Sequence, residues 1–151
     1  MGRYWETERF NGKFAFGVQN SGDPVDFYGM YYENEPDDDD DYLVMSLYPD
    51  FENIGHTMAK VNELYDEAKV PVEKRRYLFK DNSDLMHYHI TELMPYWFER
   101  SEKGQIVFSD PKVCYDERFK NAWLQYYRIH QGLAILSELL MGEECIMQAE
   151  I

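Results

Sequence analysis

Seven apolar side chains between residues 119 and 140 constrain the fold of this chain more than any other feature. Phe119, Ala122, Tyr126, Ile129, Leu133, Leu136 and Leu140 follow one another at steps that alternate between three and four. An α-helix completes a turn every 3.6 residues, so side chains at those steps fall on one stripe. Trp123, Tyr127 and Ala134 add a second stripe beside it. The apolar face is then too broad for a coiled-coil seam and suits a helix laid on a sheet. This helix is expected from Asp116 to about Met141.

The first third of the sequence offers the sheet. RYWETERF and KFAFGVQ flank Asn11 and Gly12, a pair that supplies the positive φ angles of a two-residue hairpin turn. Phe14, Phe16 and Val18 alternate with Lys13, Ala15 and Gly17, the period of a half-buried strand. NSGDP, residues 20–24, has turn composition. VDFYGMYYE and YLVMSLY then read as two more strands, the first alternating Tyr28, Met30 and Tyr32 and the second Leu43, Met45 and Leu47.

Further along, Met58, Val61, Leu64 and Tyr65 share one face of a helix that Pro71 ends. RRYLFK is a short strand by composition. SDLMHYHITELM reads as a helix capped by Ser83 or Asp84, with Met86, Ile90, Leu93 and Met94 on one stripe and an end before Pro95. Its letters also alternate as a strand would, Met86, Tyr88 and Ile90 against His87, His89 and Thr91. YWFER and QIVFS flank SEKG as a second hairpin. The architecture expected is α+β in a single domain, residues 1–151. An antiparallel β-sheet, made of the N-terminal meander plus the later hairpin, packs against two or three helices including the long C-terminal one.

Charge narrows the function. The chain carries 29 acidic and 15 basic residues for a net charge of -14, and 13 of those acids against 3 bases lie in the first 52 residues. Such a field repels phosphate backbones and anionic membranes, so neither nucleic acid nor a membrane is an expected direct partner. With 44% hydrophobic residues the chain is a folding sequence and not an acidic tail. The opening MGRYWETERF is polar and unlike a secretory leader, no stretch of about 18 apolar residues occurs, and Cys114 and Cys145 form no CxxC pair. A cytoplasmic location is the expectation, and no cofactor is implied.

The acidity is densest in ENEPDDDDDYLV, where Asp37, Asp38, Asp39, Asp40 and Asp41 run consecutively between two expected strands. Calcium loops space their ligands as D-x-D-x-D-G so that the side chains converge. Five adjacent aspartates on extended backbone point alternately to opposite sides, and no glycine bends the chain among them, so a defined metal site is not expected. Tyrosines accompany the run. Tyr31, Tyr32 and Tyr42, with Glu33 and Glu35, make an aromatic and acidic end to the sheet, suited to a basic protein partner: carboxylates speed encounter and rings supply contact area. Same-side carboxylates on a strand lie about 7 Å apart, near the spacing of successive phosphates on a nucleic-acid strand. The favoured reading is a non-catalytic acidic binding protein, an inhibitor or nucleic-acid mimic of immunity or phage type, whose partner processes nucleic acid. The alternative is a metal-assisted hydrolase or phosphodiesterase built on His87, His89 and Glu92. His89 and Thr91 form one His-x-Thr pair, and the sequence contains no second such pair, GxSxG or P-loop to support catalysis.

Overall fold

Residues 141–151, for which the sequence suggests no element, supply the strand around which the sheet is built. The computed structural model describes residues 3–34, 42–108 and 117–151. Its main sheet has five strands, all antiparallel, in the order β2-β1-β7-β4-β3. These are β1 (Tyr4–Glu6), β2 (Asn11–Lys13), β3 (Tyr31–Tyr32), β4 (Tyr42–Leu47) and β7 (Cys145–Glu150). The ladder between β4 and β7 runs six residues, from Tyr42 opposite Glu150 to Leu47 opposite Cys145. Period-two alternation sends Cys145, Met147, Ala149, Leu43, Met45 and Leu47 inward, all buried. A separate hairpin pairs β5 (Phe98–Arg100) with β6 (Ile106–Phe108).

Behind the inner face lies α5 (Glu117–Leu140), as its stripes require. Every residue from 129 to 139 is buried, because α2 (Phe51–Glu67) covers the side of α5 that the strands leave open. Each fully buried Leu or Ile there contributes roughly 2 kcal/mol. Gly132 marks the closest approach: a Cβ on it would lie 2.5 Å from Tyr28 Cζ and 2.8 Å from Val61 Cγ2. The α2 helix starts where Asp50 accepts a hydrogen bond from Asn53 N–H at 2.8 Å. It ends at Ala68, ahead of Pro71, with Lys69 in the left-handed region at φ 59°.

Several local expectations are corrected by tertiary contacts. The first hairpin turns at residues 7–10, where Thr7 N–H bonds Phe10 C=O at 2.8 Å, and not at Asn11 and Gly12. Those two pair within β2 against Glu6 and Trp5. Phe10 is thereby buried, and Gly12 leaves room for the Trp5 indole, since a Cβ would sit 2.6 Å from its Cζ2. The strand stops at Lys13; the chain turns at Gly17, with φ 73°, and Phe16 is left 70% exposed.

Residues 25–28, read as the start of a strand, belong instead to α1 (Asp23–Tyr28), with Pro24 in its first turn and Gly29 at φ 77° closing it. RRYLFK is not a strand. After a 3-10 turn (Val72–Lys74), Arg76 C=O accepts from Tyr65 hydroxyl at 2.7 Å, and Phe79 N–H donates at 3.1 Å to Ser137 Oγ, whose own proton goes to Leu133 C=O at 2.7 Å. Side-chain hydroxyls replace a neighbouring strand.

The ambiguous middle is helical. It comprises α3 (Asn82–Tyr88), one π-helical turn (His89–Leu93) and α4 (Met94–Trp97). Asp81, and neither Ser83 nor Asp84, caps it, accepting from Asp84 N–H at 2.9 Å. The helix also runs past Pro95, which is the second residue of α4, directly after the π-helical turn. Leu85, Tyr88, His89 and Leu93 face inward, leaving Met86 and Ile90 exposed.

Candidate functional site

The outer face of the main sheet is open to solvent, and its register arranges three rows of side chains. In the first row Lys13, Tyr4, Glu150 and Tyr42 lie side by side on β2, β1, β7 and β4. The second row is Asn11, Glu6, Gln148 and Val44; the third brings Ile146, Ser46 and Tyr31 together. Tyr4 is 48% exposed, Tyr31 63%, Tyr42 51% and Ile146 49%, so apolar surface stands in water in the first and third rows, while Ser46 between Ile146 and Tyr31 is buried. Glu6, Glu8, Glu144 and Glu150 surround it.

Two hollows indent this face. One, of about 260 Å³, is lined by Glu6, Thr7, Glu8, Glu144, Ile146 and Gln148. The other, of about 150 Å³, is lined by Tyr4, Trp5, Glu6, Asn11, Tyr42, Gln148 and Glu150. Glu150 is held in place: its Oε2 accepts from Tyr4 N–H at 3.1 Å, and its carbonyl accepts from Ser21 Oγ at 2.5 Å. Lys13 Nζ lies 5.5 Å from the centroid of the Tyr4 ring, a cation–π contact within the chain.

The corner where β3 passes to β4 is fixed by side chains that imitate a ladder. Glu33 N–H donates to Val44 C=O at 2.9 Å, and the Glu33 carboxylate accepts from Ser46 Oγ. The Asn34 amide donates to Tyr42 C=O at 3.1 Å and accepts from Val44 N–H at 2.8 Å. The chain thus leaves β3 and returns to β4 at this end of the sheet. Of the residues expected to bind a partner, Tyr31 and Tyr42 belong to the outer face and Glu33 stands exposed beside it. Tyr32, 53% exposed, lies on the Met45 side of the sheet, with its hydroxyl against Gly22. Glu35 and Asp37, Asp38, Asp39, Asp40 and Asp41 lie outside the described residues. Tyr4, Glu6, Ile146, Gln148 and Glu150 were not singled out by sequence, since β1 and β7 meet only through the fold.

The alternative cluster does not assemble. His87 and Glu92 are exposed while His89 is buried, so the three share no face. His89 stacks on Tyr126 at 3.8 Å between centroids and meets His130 edge-on at 4.4 Å. Burial drives the His89 pKa well below its ordinary value, with His130 adding to the effect; burial likewise lowers His130 to about 4. Both rings are neutral aromatic packing at pH 7.

Among the described residues, one group of carboxylates could gather a metal: Glu8, Glu138 and Glu143. Arg9 already pairs with two of them. Its guanidinium reaches Glu143 at 2.7 and 2.8 Å and Glu138 at 3.3 Å. Burial raises the Glu138 pKa against the pull of Arg9, whereas the hydrogen bond from Arg9 lowers that of Glu143. A second polar network is internal. Arg128 forks onto Asp23 at 2.7 and 2.8 Å, and Gln19 bridges Asp23 and Gln131 at 2.9 and 2.7 Å, tying α1 to α5. Comparison with protein-family models, curated proteins and solved structures finds no match to this chain. Among the described residues no helix is long and apolar enough to cross a membrane.

Proposed function

We propose that this chain is a non-catalytic cytoplasmic binding protein that seats a basic protein surface on the outer face of its sheet. The observation that carries the reading is the half-exposed set Tyr4, Tyr31, Tyr42 and Ile146 standing among Glu6, Glu8, Glu144 and Glu150. Rings half exposed leave apolar area unburied in the free fold, and like charges gathered on one face repel one another. Both features become favourable when a cationic surface covers them. In the sequence the five aspartates follow Tyr31 and immediately precede Tyr42, so the densest charge of the chain adjoins two of these tyrosines along the sequence. Neighbouring strands are about 4.8 Å apart, well inside the roughly 8 Å screening length at physiological salt. The carboxylates therefore act on an approaching cation together, and they steer encounter as well as hold it.

A partner whose own surface is built to hold nucleic-acid phosphates has the required charge, and inhibition by occupying that surface is the corresponding activity. Capture from the native host tests this. The wild-type chain is expected to retain a basic protein, and a variant with residues 37–41 changed from Asp to Asn is expected to lose most of it. Retention of the same protein by that variant, or binding unchanged in about 0.5 M salt, where screening shrinks to a few ångströms, would overturn the proposal.

A further inference from the structure

We infer that the 150 Å³ hollow between β1, β7 and β4 is a receptor for a single arginine side chain, the guanidinium lying between Tyr4 and Tyr42 and paired with Glu150 and Glu6. This rests on the reading of the face as a seat for a basic protein and names the group that the seat grips. The register places Tyr4 and Tyr42 on either side of Glu150, two strands apart, a backbone separation of about 10 Å. A flat group stacks on an aromatic face at about 3.5–4 Å, and Glu150 stands between the two tyrosines to receive its charge. The hollow offers two rings and two carboxylates together with the amides of Asn11 and Gln148.

Guanidinium suits that set better than ammonium does. It is planar and weakly hydrated, stacks on a tyrosine face, and presents parallel N–H groups to a carboxylate. The Glu150 carboxylate is already oriented, with Oε2 turned to Tyr4 N–H and Oε1 without a hydrogen-bond partner among the described residues. Lys13 beside Tyr4 shows the ring engaging a cation from the chain's own sequence.

The test is an amide-resolved NMR titration of the full chain with acetyl-arginine amide and, separately, acetyl-lysine amide at physiological salt. The arginine probe is expected to shift Tyr4, Glu6, Tyr42, Gln148 and Glu150 with a Kd on the order of a millimolar, and the lysine probe to bind at least several-fold more weakly. Glu150→Gln keeps the acceptor for Tyr4 N–H but removes the charge, and is expected to weaken the arginine probe about tenfold. Tyr42→Leu tests the ring in the same way. Equal shifts from both probes, shifts spread over acidic residues far from the hollow, or an unaffected Glu150→Gln titration would each overturn the assignment. If the arginine probe fails while a basic protein is still captured, the receptor is wrong and the wider function stands. If the probe fills the hollow but no basic protein is captured, the wider function is wrong and the receptor stands.

Discussion

The buried histidine pair makes folding stability depend on pH in a calculable way. His130 is enclosed by Trp5 (ring centroids 5.5 Å apart), by His89 and by the Asn11 backbone, and its folded pKa falls from 6.5 to about 4. A base whose folded pKa is depressed stabilises the fold fully above the unfolded value and loses that stability as pH falls toward the folded one. The gap between 6.5 and about 4, at about 1.4 kcal/mol per pH unit, corresponds to roughly 3 kcal/mol in total. About 2 kcal/mol of it is lost between pH 7.5 and pH 5, before most carboxylates titrate. His89 is shifted in the same direction and adds to the loss. Urea denaturation across that interval measures it, with the slope m checked for constancy. His130→Asn, whose amide can still reach the Asn11 backbone, is expected to flatten the curve. A wild-type stability that changes by less than about 0.5 kcal/mol between pH 7.5 and 5, or a His130→Asn variant with the full wild-type dependence, would refute the reasoning.

Other perturbations test the packing. Gly132→Ala drives a methyl into Tyr28 and Val61 and is expected to cost about 2–3 kcal/mol in a urea titration; a neutral result would mean that α5 and α2 are farther apart than described. Asp23→Asn removes the partner of a half-buried arginine and is expected to cost about 2–3 kcal/mol, again read from the urea midpoint. Cys145 is buried in the central strand and its thiol pKa is raised by that burial and by Glu138 and Glu144, so native protein should resist alkylation there until it unfolds, as peptide mapping by mass spectrometry would show.

The parts of this fold that could be read from sequence are those with long, strong periodicity. The stripes of α5, the Val61, Leu64 and Tyr65 face of α2, and the alternation of Leu43, Met45 and Leu47 all survive into the structure because many residues repeat one message. Short segments were decided elsewhere. Residues 25–30 alternate like a strand, yet Asp23 is held by Arg128 from a helix 105 residues away, and a helical turn follows. The central strand β7 hid its pattern by inversion: small Cys145 and Ala149 point inward while Ile146 points out. Tyr31 and Tyr42 stood out as candidates because tyrosines adjoin the acidic run in sequence. Tyr4 and Glu150 were not, since 146 residues separate them and only the β1–β7 ladder brings them together.

The central claim is that a cationic partner covers the outer face of the sheet. Hydroxyl-radical footprinting of the chain alone and with its captured partner measures this directly. The account predicts that Tyr4, Tyr31, Tyr42 and Ile146 become protected in the complex, while Phe16 and Phe51, exposed outside that face, keep their reactivity. Protection at Phe16 or Phe51, with the four face residues as reactive as before, would contradict it.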